Sequence, residues 1–107
     1  MLKTIEPQTF DVELQSSHEP FLVAFLKRNE RFMAQTKALD GASKEYADKI
    51  RCYMYADDYL DTAMQRFMVK GTPTFLLFSE GQEVNRLIGE SDRETLDEFI
   101  RNSISDA

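Results

Sequence analysis

The chain predicts an α/β domain in which helices cover both faces of a mixed sheet. Three observations carry that prediction. Short apolar or aromatic runs of strand length alternate with stretches of helical period along the whole chain. Two of those runs, "FLVAFL" and "TFLLF", are apolar throughout apart from the leading threonine of the second, the pattern of buried strands. Near the C-terminus two strands follow one another through "SEGQEV", so one pair is a hairpin and the sheet is not all parallel.

The elements follow in order. Leu2 to Ile5 forms a short strand, and Pro7 suits the first turn of a helix running through Phe10 and Leu14. After the "SSHEP" turn comes a buried strand from Phe21 to Leu26. A long helix is expected over about Glu30 to Asp48, with Phe32, Leu39, Ala42 and Tyr46 on one stripe. Gly41 inside it costs about 1 kcal/mol relative to Ala and predicts a bend. "IRCYMYA" is the next strand. Asp57 or Asp58 is the expected cap of a helix from Tyr59 to about Phe67. Strands Thr74 to Phe78 and Glu83 to Ile88 turn at Gly81. Ser91-Asp92-Arg93-Glu94 fits a capping box for a final helix whose apolar face is Leu96, Phe99, Ile100 and Ile104. The order is βαβαβαββα.

At 107 residues the chain is expected to be one domain, 1–107, large enough for a core without staples. The formal net charge of −6 argues against nucleic acid, which needs clustered Lys and Arg. A single cysteine, Cys52, excludes an internal disulfide and a cysteine-cluster metal site. "MLKTIEPQTF" lacks the apolar core of a signal peptide, and the longest apolar run is far below a membrane span. The expectation is a cytoplasmic protein with no membrane partner, no metal and no cofactor.

"QTFDVEL", "FLVAF", "KEYADKIRCYMYADD", "KGTPTFLLFSEGQEV" and "IGESDRETLDEFI" stand in an order and at spacings that resemble thioredoxin along almost the whole chain. The resemblance implies the thioredoxin fold, with Pro73 as the family's cis-proline. It also implies that the backbone of Thr72, just before that proline, is left free to pair with an extended peptide. Opposite this loop the family carries two cysteines, and here the chain reads "FLVAFLKRNERFMAQ". Matching backward from "KEY" puts Asn29 and Phe32 at the cysteine positions, with Glu30 and Arg31 between; matching forward from "FLVAF" shifts the register by one. Neither register supplies a thiol. The family's buried aspartate falls at Ala24 and its lysine neighbour at Met54, so the proton-transfer pair is missing too. Thiol–disulfide exchange needs a thiolate and a resolving thiol, and no catalytic residue is assigned. The residues expected to form a peptide-binding groove are Asn29, Glu30, Arg31, Phe32, Thr72 and Pro73.

Other candidates have plainer readings. Cys52, between apolar and aromatic neighbours, reads as a small buried hydrophobe. His18 reads as a loop residue. Asp57, Asp58 and Asp61 lack the glycine and terminal glutamate of a calcium loop. "KRNERF" reads as a charged loop rather than an anion site. Met33, Met64 and Met68 read as core, with Phe32, Met68 and Val69 as possible borders of the groove. Two function classes follow. One is a redox-inactive binding, chaperone or adaptor module that takes a protein or extended peptide. The other is a thiol-disulfide oxidoreductase-related enzyme working through Cys52 or through an activity at "KRNERF".

Overall fold

Strands β2 (Phe21–Phe25) and β4 (Thr74–Ser79) are buried at every residue, in keeping with their apolar runs, and β4 buries its terminal Thr74 and Ser79 as well. They lie at the middle of a five-stranded sheet in a computed structural model that describes residues 2–16 and 19–106. The remaining elements are β1 (Lys3–Ile5), α1 (Pro7–Ser16), α2 (Phe32–Glu45), β3 (Arg51–Tyr55), α3 (Leu60–Arg66), β5 (Gln82–Ile88) and α4 (Arg93–Asp106). A single 3₁₀ turn, Asp57–Tyr59, leads into α3. The strand order is β1-β3-β2-β4-β5. β3 runs parallel to both β1 and β2, while β4 runs antiparallel to β2 and β5. This is the mixed sheet that the hairpin at "SEGQEV" predicts. Glu80 and Gly81 form its two-residue turn, both with positive φ, 53° and 81°. His18 lies outside the described residues.

Alternation along each strand divides the core in two. Leu22, Ala24, Cys52, Met54, Phe75 and Leu77 face Leu39, Ala42, Leu96 and Ile100 of α2 and α4. Phe21, Val23, Phe25, Tyr55, Leu76 and Phe78 face Phe10, Leu60 and Ala63 of α1 and α3. The second layer is aromatic. The Phe10 ring stands edge-on to Phe67 and Phe78, each with centroids 5.0 Å away. Burying each such ring stabilises the fold by roughly 1.5–3 kcal/mol.

Several boundaries differ from the sequence expectation. α2 begins at Phe32 because Asn29 folds the preceding residues into a turn. Its side-chain oxygen accepts the Arg31 N–H at 2.9 Å, and its carbonyl accepts the Phe32 N–H at 3.1 Å. The helix ends at Glu45 and runs unbroken through Gly41. Gly41 makes room for the Arg93 guanidinium of α4, which a Cβ would strike. α4 is capped by Asp92, whose carboxylate accepts the Thr95 N–H at 2.9 Å, one residue later than the expected Ser91. Neither Asp57 nor Asp58 caps α3 with its side chain.

Candidate functional site

β4 begins immediately after a cis Thr72–Pro73 peptide. The Pro73 carbonyl is taken by the Gly89 N–H at 2.9 Å, and the Thr74 hydroxyl donates to the Gly71 carbonyl at 2.7 Å. Between these anchors, the Thr72 N–H and carbonyl have no hydrogen-bond partner among the described residues. Facing them is the loop from Lys27 to Arg31 that joins β2 to α2. The two segments enclose a cleft of about 280 Å³ floored by Leu26 and Gln35. Asn29, Glu30, Arg31, Phe32, Thr72 and Pro73 all line this one cleft.

Two ion pairs brace the loop from opposite sides. Arg28 reaches Asp57 in the β3–α3 connection at 2.5 Å, and Arg31 pairs with Glu90 in the β5–α4 connection. Both pairs are solvent-exposed, so each stabilises by no more than about 1 kcal/mol. They fix where the loop lies more than they hold the fold. The Arg28 guanidinium also sits 4.5 Å above the Phe32 ring. Phe32 is half-buried: it packs against the core while still bordering the cleft.

Gln35 was not singled out by the sequence. It is buried, and its amide makes a reciprocal pair with the backbone of Ser91, donating to the carbonyl at 3.0 Å and accepting from the N–H at 3.2 Å. The available signal was its place on the Phe32–Leu39–Ala42 stripe, where a polar residue needs a buried partner.

Beyond Phe32 lies a second, larger groove of about 600 Å³, lined by Leu2, Met33 and Met54 among others. Met33 is 76% exposed on its wall. The core reading of Met33 is therefore wrong, because the second residue of α2 points away from the helix's buried stripe. Met68 is likewise exposed, at 74%, with positive φ. α3 ends there in a turn in which the Met68 N–H donates to the Gln65 carbonyl and the Val69 N–H to the Met64 carbonyl, and the Arg86 guanidinium donates to the Phe67 and Met68 carbonyls. Val69 is buried and Met64 half-buried.

The positions aligned with the family's aspartate and lysine are direct neighbours across the parallel β2–β3 pair. Ala24 and Met54 share register, and both are buried. An apolar contact stands where a proton carrier would be needed. Cys52 is on the same sheet face, 7% exposed, and burial pushes its thiol up to about 12. Arg51 turns to the opposite side and pairs with Glu13 at 2.9 Å, so it does nothing to favour a thiolate. Among the described residues, no group of three or more His, Cys, Asp or Glu side chains is placed to hold a metal. No described helix is long and apolar enough to cross a membrane.

The comparisons agree with this architecture. A family model described as Thioredoxin matches residues 1–102. "Thioredoxin M-type, chloroplastic" of Pisum sativum is 32% identical over 66 residues, 62% of this chain and 38% of that protein. "Thioredoxin M3, chloroplastic" of Oryza sativa subsp. japonica is 32% identical over 72 residues, 66% of this chain and 41% of that protein. The matches thus span about two fifths of each relative's length. With the family model covering nearly the whole chain, the protein belongs to the thioredoxin family.

Proposed function

We propose that this protein is a redox-inactive member of its family that holds an extended segment of a partner protein, as a chaperone or adaptor does. The observation that carries the reading is the unpartnered backbone of Thr72 at the edge of a cleft that contains no thiol. A free N–H and a free carbonyl on one residue can bind a passing strand by two backbone hydrogen bonds. Phe32 and Met33 add apolar surface beside it. Disulfide exchange has no comparable support, since Cys52 is buried on the sheet and held as the neutral thiol.

Two measurements test the reading together. In an insulin-disulfide reduction assay with dithiothreitol, turnover should stay at the uncatalysed rate. Activity that disappears in Cys52→Ser would overturn the proposal. In nitrogen-15 spectra titrated with a library of extended peptides, the amides of Asn29 to Phe32 and of Gly71 and Thr72 should shift. Shifts confined to α1 and α3, on the other face of the sheet, would place binding elsewhere.

A further inference from the structure

From the charge around the same cleft, and resting on the peptide-binding reading above, we infer that the segment it takes is acidic, with glutamates or aspartates flanking an apolar core. The chain as a whole carries −6, yet the balance reverses locally. Lys27 lines the cleft, Lys37 lines the adjoining groove, and Lys70 is exposed two residues before Thr72. None of the three is in an ion pair among the described residues.

The other charged side chains of the two walls are mostly neutralised. Arg28 is paired with Asp57, Arg31 with Glu90, and Asp40 with Lys44. Glu30 alone remains as an unpaired anion lining the cleft. Two uncompensated cations, Lys27 and Lys37, against the single anion Glu30 therefore line the walls beside an apolar strip made by Phe32 and Met33, and Lys70 adds a third positive charge two residues from Thr72. Net negative charge elsewhere repels an acidic segment from the rest of the surface, so attraction is concentrated at this mouth. It also opposes a second copy of this chain as the occupant.

The test uses the full chain and three fluorescent ten-residue peptides that share one Leu-Val-Ile core. Their flanks are glutamates, lysines or glutamines. Anisotropy titrations are run at about 10 mM and about 150 mM salt, where the screening length falls from about 30 to about 8 Å. The glutamate-flanked peptide should bind about tenfold tighter than the lysine-flanked one at low salt, with the gap narrowing at high salt. The double variant Lys27→Glu/Lys70→Glu, changed only at exposed positions, should abolish or invert that order. If all three peptides bind equally and still shift the Thr72 amide, the acidic class is wrong and the cleft reading stands. If none binds at millimolar concentration, both are wrong. A preference that survives the double variant unchanged would also overturn the inference, because the charge would lie elsewhere.

Discussion

Cys52 separates the scaffold from the chemistry expected of it. Its ordinary value of 9.0 is raised to about 12 by burial alone, so the folded state favours the protonated thiol. The resulting stabilisation is fully present below pH 9 and is lost as pH rises from 9 toward 12, because the unfolded chain ionises first. The loss should be about 1.4 kcal/mol per pH unit over that window. Urea melts of wild type and Cys52→Ala at pH 8 and pH 10 should show the difference, with Tyr and Lys titration common to both proteins. Near neutral pH the thiol should react with an aromatic disulfide reagent only as the protein unfolds. Met33 makes the matching case at the surface. Met33→Ala should leave stability within about 0.5 kcal/mol while weakening peptide binding by about 1 kcal/mol. Phe32→Ala should lower both, since that ring also packs on the core. Pattern made Cys52 legible as buried, but it misplaced Met33 and left Met68 between the core and the border of the groove. A methionine near an apolar stripe looks the same in sequence whether its Cβ points inward or out.

The order and type of the elements were legible because their periods are strong, whereas their joints depend on tertiary partners. Asp57 is an attractive cap in sequence, and in the fold Arg28 claims its carboxylate. Ser91 likewise suits a cap, yet its backbone is held by Gln35 and the capping passes to Asp92. Gln35→Ala should therefore cost about 1–3 kcal/mol, by leaving the two buried backbone groups of Ser91 unpaired. It should also shift Ser91 and Asp92 resonances before any in α1. Gly41 gives an element-scale test with a sign. Ala gains about 1 kcal/mol in helix propensity there but displaces the Arg93 side chain from its pairs with Glu45 and Asp97. Gly41→Ala should be nearly neutral in the wild-type background and stabilising by about 1 kcal/mol in Arg93→Ala. Equal effects in the two backgrounds would show that the guanidinium is not what requires glycine.

At the scale of the whole molecule, the sheet brings the Thr72 loop and the Asn29–Phe32 turn to one end although about 40 positions separate them in sequence. The family resemblance brought these residues together in advance; their spacing alone did not. The turn is closed by the Phe32 N–H on the Asn29 carbonyl, which keeps the two Cα atoms within reach of a disulfide. Asn29→Cys/Phe32→Cys should accordingly form an intramolecular bond in air, seen as protection from alkylation that reductant removes. The unaltered protein behaves differently. A protein with a dithiol site changes stability when that bond is made or broken, but here the sole cysteine is shut inside the sheet. Its melting temperature should be the same with and without reductant. That indifference makes heat a reporter of occupancy: a ligand at a hundred times its Kd adds about 2.7 kcal/mol, enough to move the midpoint of a domain this size by about ten degrees. The Asn29–Phe32 turn, which carries no thiol at either end, thereby makes the fold a thermometer for its own partners that thiol reductants do not disturb.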